Sequence, residues 1–223
     1  MRILFAILLG ISLCDAQVVI SRRTAAAVAA IAIDDSSKGE QTSGATLTVA
    51  HTCTGAGILV VGVASYLEGA GQTMTAEYNG DAMSTLGVST SGENELEYFY
   101  ILTPDAGTHN IVVTPSSSSA EVACAAMSLT NVTAITGGIA GGATGTAWTV
   151  TVTSETGSWA TALLATYNLV PTVTNGTIRV ANSNGTAQLS VYLLTRDGAA
   201  SVQINGTIAS EWSWMMFGAS ADQ

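Results

Sequence analysis

Residues 48–87 constrain this chain more than any other stretch. T-V-A-H-T-C-T-G-A-G-I-L-V-V-G-V (48–63) reads as strand, glycine-rich turn, strand, and T-M-T-A-E-Y-N-G-D-A-M-S-T-L-G (73–87) as a hairpin closed by Asn79-Gly80. A two-residue type I′ turn needs positive φ at both central positions, and Asn-Gly meets that need at the least cost. A chain written this way is committed to antiparallel pairing.

The same grammar recurs to the C-terminus. Residues 45–53 alternate, with Leu47, Val49, His51 and Cys53 on one face and Thr46, Thr48, Ala50 and Thr52 on the other. Residues 58–66 are apolar on both faces, as in a strand covered on both sides. Strands are predicted at 95–103 and 111–114, then at 120–130, 145–153 and 159–167, with the glycine-rich 136–146 as a connection. Runs near 177–181, 187–195 and 201–204 are broken by Asn-Gly at 175–176, 184–185 and 205–206, and 211–220 closes the chain. A first strand is expected near 29–33, before a polar stretch at 34–44. Roughly 12–14 short strands without an amphipathic helical period predict an all-β fold. The expected architecture is a two-sheet antiparallel β-sandwich of jelly-roll type. No strict internal repeat is visible, which disfavours a propeller or a solenoid.

The N-terminus has the build of a secretory signal peptide over residues 1–16. Arg2 precedes the apolar run 3–13, and Cys14-Asp15-Ala16 supplies a small-residue cleavage pattern. The run is too short to span a bilayer. Cys14 opens a lipidation alternative, against which stands Leu13, where such a signal wants a small side chain. This divides the chain into the signal peptide, an N-terminal segment with the first strand at 17–44, and a sandwich domain at 45–223. With 48% hydrophobic and 10% charged residues the chain has enough apolar side chain to fold. Its net charge of −10, with Lys38 as the lone lysine, argues against nucleic acid and anionic membranes as partners. The expected location is secreted, extracellular or on a cell surface, with no membrane insertion after signal cleavage.

Several segments together resemble a known group. T-V-A-H-T-C-T-G (48–55), L-V-V-G-V (59–63), Y-N-G-D-A-M (78–83), A-G-T-H-N-I-V-V-T (106–114) and W-S-W-M-M-F-G-A (212–219) carry the likeness. The chain resembles a widespread group of uncharacterised secreted bacterial and metagenomic β-sandwich surface domains over roughly residues 45–219. The resemblance implies a jelly-roll-like sandwich and an extracellular location, and transfers no catalytic residue.

Four constellations could carry chemistry. His51 and Cys53 share a strand face, which suggests a nucleophile or metal pair, but also simply continues the buried face of Leu47 and Val49. With two histidines and no Cys-x-x-Cys spacing, a zinc site has little material. Cys53 and Cys124, the cysteines left after signal cleavage, would close a loop of ~70 residues worth ~4 kcal/mol as a disulfide, or remain two buried thiols. Glu93, Glu95 and Glu97 project from one strand face. They read first as a solvated outer face, then as a Ca²⁺ site, then as a glycosidase pair. Tyr66, Trp212 and Trp214 are the aromatic candidates for stacking on sugar rings, against the commoner use of such residues as core anchors.

Asn131, Asn175, Asn184 and Asn205 each head an Asn-x-Thr sequon. No nucleophile elbow, phosphate loop or dinucleotide fingerprint occurs. The expectation is an exported, non-enzymatic module with a structural or adhesive role at a cell or particle surface, a virion included. Its partners would be surface glycans or further copies of itself, with no cofactor beyond Ca²⁺. A carbohydrate-binding module and a glycan-active hydrolase are the alternatives.

Overall fold

The Asn79-Gly80 hairpin forms as the sequence predicts. In the computed structural model these two residues have φ of 54° and 88°, and β4 (Met74–Tyr78) pairs antiparallel with β5 (Asp81–Ala82) across them. The structure describes residues 29–66, 72–91, 93–118, 120–183 and 188–223, without the side chains of 91, 139, 140, 142–144 and 210–214. The expected signal peptide with Cys14, the segment 17–28 and the 184–185 Asn-Gly pair with Asn184 lie outside the described residues.

The protein is all-β, and its strand ladders are antiparallel. The first unit contains β1 (Ala32–Gln41), β2 (Leu47–Cys53), β3 (Ile58–Tyr66), β4, β5, β6 (Ser84–Ser91), β7 (Asn94–Leu102), β8 (Gly107–Pro115) and β9 (Glu121–Thr130). They form an inner sheet β1-β9-β3-β7-β6 and an outer sheet β2-β8-β4-β5. This is the interleaved two-sheet order of a jelly roll, with β6 added at one edge. Alternation explains the outer sheet: β2 and β4 bury every second residue. In the inner sheet β3 is buried along nearly its whole length, because both of its faces are covered.

The second unit contains β10 (Ala134–Val152), β11 (Trp159–Tyr167), β12 (Thr172–Asn175), β13 (Thr177–Asn182), β14 (Leu189–Asp197) and β15 (Val202–Asp222). Residues 134–145 of β10 and 212–222 of β15 belong to the inner sheet β10-β15-β11-β14-β13. Residues 147–152 and 202–207 continue as an outer layer that β12 joins.

The order of this inner sheet matches that of the first unit strand for strand. The irregularities match too. Ile33 pairs with Leu129 just before a bulge in β1, and in β10 the equivalent pair Ile135–Ala221 is followed by one more, Thr136–Ser220, before the register shifts. The bulge between Thr85 and Gly87 in β6 returns between Ile178 and Val180 in β13. Residues 44–66 align without a gap on 145–167, sharing Thr48/Thr149, Val49/Val150, Thr52/Thr153, Ala64/Ala165 and Tyr66/Tyr167. The chain is therefore a tandem structural repeat, which the sequence reading missed.

The two inner sheets face each other, so the molecule has four layers and three cores. Equivalent residues meet at the centre. A side chain at Gly62 would collide with Leu163, its own counterpart, and Tyr66 stands edge-on to Tyr167 at 6.5 Å. Tyr98 crosses the same core to donate its hydroxyl to Thr161 Oγ1 at 3.1 Å. At one edge Lys38 Nζ donates to Ala181 O at 2.8 Å and Asn182 Nδ2 to Gly39 O at 2.7 Å, joining β13 to β1.

Three expectations need correction. The first strand is Ala32–Gln41, not 29–33, so the polar stretch is itself a strand, lying at the edge of the inner sheet. The glycine-rich 136–146 is part of β10, because β15 supplies its pairing and Phe217 fills the room a side chain at Gly138 would need. Asn205-Gly206 lies within β15 and not in a turn, where a Cβ on Gly206 would strike the Thr172 carbonyl.

Candidate functional site

Among the described residues, two clusters of the first unit bring titratable side chains together. One lies where β1 crosses the end of β2. His51 Nδ1 is 2.8 Å from Ser37 Oγ, and Nε2 is 3.1 Å from Ser128 Oγ. Asp35 Oδ2 is 3.9 Å from Nδ1 and accepts the Thr52 N–H at 3.0 Å. Asp34 Oδ2 accepts from Thr54 N at 2.8 Å and lies 3.4 Å from Ser128 Oγ. Ser128, His51 and Asp35 thus have the composition of a hydrolase triad.

The proton count runs the other way. Ser128 Oγ already accepts from the Asp35 N–H at 3.1 Å, and its single proton is needed by Asp34. The assignment that satisfies every group has His51 donating from Nε2 to Ser128 and accepting from Ser37 at Nδ1. A triad base would instead accept the serine proton at Nε2. Burial holds the His51 pKa below its ordinary value, outweighing Asp35 and Asp34, which raise it. His51 and Ser128 are 1% and 2% exposed, so no substrate reaches them. Their role is to staple β1 of the inner sheet to β2 of the outer sheet.

Cys53 packs beside this staple. Burial raises its pKa, as it does that of Cys124, pushed up to about 12, so both remain thiols and neither is an activated nucleophile. Both are free, not bridged. Tyr78 lies edge-on to His51 and to His109, and its hydroxyl points at the Gly107 carbonyl 3.2 Å away.

The second cluster lies at the far end of β7, on the face turned to the outer sheet. Glu95 and Glu97 are 5% and 4% exposed. The expectation of a solvated face is corrected, because the outer sheet covers this side of β7. Glu97 Oε1 accepts the Met74 N–H at 3.1 Å. Burial pushes the Glu97 pKa up to about 8, helped by its hydrogen bond to Glu95 and opposed by the Met74 N–H. Glu97 therefore keeps its proton at neutral pH, held in its hydrogen bond with Glu95. Ser65, paired with Glu95 on β3, is fully buried with its Oγ unpartnered. Gln72 is 5% exposed, and neither end of its amide has a partner. Glu93 stands apart, half-buried in the turn before β7.

The Tyr66 ring packs against the central core and Tyr167. Trp212 and Trp214 lie in β15, with backbones paired to Gly145 and Ala143, while their side chains fall outside the described residues. Trp148 is buried, and the Trp159 ring carries the Arg179 guanidinium at 5.1 Å. Among the described residues no group of three or more His, Cys, Asp or Glu is arranged to hold a metal.

Sequence reasoning missed Ser65, Gln72, Asp34 and Ser128. The available signals were the outward-reading Ser65 in an otherwise apolar strand and the Asp34-Asp35 pair opening a polar strand. A scan against protein-family models finds no match, and comparisons with curated proteins and with solved structures find none either.

Proposed function

We propose that the protein is an exported, non-enzymatic module with a structural or adhesive role at a cell or particle surface. The observation that carries this reading is the character of the two outer sheet faces. In a chain of net charge −10, the first unit turns Thr48, Ala50, Thr52, Thr75, Thr108, Asn110 and Thr114 to solvent, with Glu77 among them. The second unit turns outward Thr149, Thr151, Thr153, Thr172, Thr174, Gln203 and Thr207. Both ends of the four-layer stack thus present threonine-rich, charge-poor sheets. Threonine offers a methyl and a hydroxyl at each step, a surface suited to close contact with sugar polymers or with another such sheet. A rigid block with two like faces can bridge two partners.

The reading is tested by light scattering after size exclusion together with a glycan array on the mature chain. Concentration-dependent self-association that is lost in Thr151→Lys is the expected result. A strict monomer with specific sugar binding would overturn it in favour of a carbohydrate-binding module. Turnover of a glycan substrate would revive the hydrolase.

A further inference from the structure

The second unit builds the counterpart of the Glu95/Glu97 corner without acids, with Ser190 Oγ left unpartnered. Ladder register makes Thr166 the counterpart of Ser65, Ser190 that of Glu95 and Tyr192 that of Glu97. There the connection after β11 folds down, and the Leu169 carbonyl accepts from Thr166 Oγ1 at 2.6 Å and from Tyr192 OH at 2.9 Å. The fold therefore does not require carboxylates at this position. The first unit nonetheless buries two, side by side, and among the described residues Met74 supplies an N–H to Glu97 at 3.1 Å.

The surroundings hold further buried polar groups without partners. Ser65 projects beside Glu95 with its Oγ unpartnered. Thr73 faces solvent, which turns its neighbours Gln72 and Met74 inward, and the Gln72 amide is unpartnered at both ends. Buried acceptors left in this state are costly, and two adjacent carboxylates more so. A bound cation would neutralise the carboxylates and coordinate the unpartnered oxygens of Ser65 and Gln72.

We infer that Glu95, Glu97, Ser65 and Gln72 form a binding site for a hard divalent cation, with Ca²⁺ the best match. Two carboxylates neutralise its charge, Ser65 Oγ and Gln72 Oε1 add neutral oxygens, and water completes a shell of six to eight. No nitrogen or sulfur ligand is offered, which selects against zinc and copper. Mg²⁺ sheds its water reluctantly and fits a buried pocket less well. With two charged ligands the affinity belongs in the weak class of extracellular modules, roughly 10⁻⁴–10⁻³ M. The ion would tie β7 and β3 of the inner sheet to the start of β4 in the outer one. A carboxylate must be ionised to ligate, so Ca²⁺ and H⁺ compete. Among the described residues, Glu95 is the charged group acting on Glu97. The facing elements present Val63 and Ser65 on β3, Val122 and Cys124 on β9, Val88 and Thr90 on β6 and Met74 on β4; of these Cys124 titrates, and burial keeps it a thiol.

The test is isothermal titration of the chelator-treated mature chain with CaCl₂, with thermal unfolding alongside. At pH 8 the expected result is saturable binding with proton release and a rise in Tm. At pH 5 the affinity should be at least tenfold weaker. Glu95→Gln with Glu97→Gln keeps the shape and should abolish the response while the protein stays folded. Ser65→Ala, a milder change, should weaken binding several-fold. Absence of heat and of any Tm shift at 10 mM CaCl₂ and pH 8 (about ten times the weaker limit given above) would overturn the site. So would an unchanged response in the double variant.

Discussion

The two units share strand order, bulges and packing geometry, yet they fasten their layers with different chemistry. Where the first unit places His51, Cys53 and Ser128, the second has Val152, Ser154 and Ser220 at the equivalent positions. Ser154 Oγ lies 2.8 Å from Ser220 Oγ, which donates to Asp222 at 2.6 Å. Asp222 also accepts from Thr136 Oγ1 at 2.9 Å. Both units thus anchor the inner edge to the outer layer with a serine and an aspartate, and only the first adds an imidazole and a thiol. A titratable residue whose counterpart is valine or serine is dispensable to the fold. The comparison separates what the architecture demands from what one unit has acquired.

The largest expected effect lies at the centre, where the units meet. Gly62→Leu sets a leucine against Leu163 where there is no room for a Cβ, and should cost ~3 kcal/mol or more. Urea titration measures it, and a loss below 1 kcal/mol would mean that the inner sheets are further apart than described. Next comes the staple. His51→Val imports the second unit's residue and leaves Ser37 and Ser128 without their partner, for an expected loss of ~1–3 kcal/mol.

A pH effect confined to the first unit follows from Glu97. Its carboxyl is raised in the folded state, so the folded chain holds a proton that the unfolded chain releases. The stability this contributes is complete below the ordinary value of 4.5 and is lost as pH rises through about 8. In chelator, Glu97→Gln should flatten that slope, as read from Tm against pH. The smallest effect is expected from Cys53→Ser, which copies Ser154 of the second unit and should shift stability by less than ~1 kcal/mol.

Much of the fold was legible. Alternation located β2, continuous apolar character marked β3 as covered on both faces, and Asn79-Gly80 fixed the β4–β5 turn. The repeat was harder to read. A sheet asks of each position a face and a volume, so Leu47 can become Trp148, and Gly62 can become Leu163, without changing the ladder. What remains is a thin diagonal of identities over 44–66 and 145–167. The site was less legible for a related reason. E-L-E-Y-F-Y reads as a half-exposed strand, because alternation cannot say whether a second sheet lies over the polar face. Here one does, and Glu95 and Glu97 are buried by residues distant in sequence. The unpartnered state of Ser65 and Gln72 depends on the same three-dimensional closure.

The central claim is that the two units share one core and so form one cooperative body. Each unit carries its own reporter: all four tryptophans lie in the second, while Cys53 and Cys124 lie in the first. Equilibrium urea unfolding of residues 17–223, followed by tryptophan fluorescence and by thiol labelling, measures both in one experiment. A shared core predicts coincident transitions with one midpoint. Two separated transitions, the thiols becoming reactive while the tryptophan signal stays native, would contradict it.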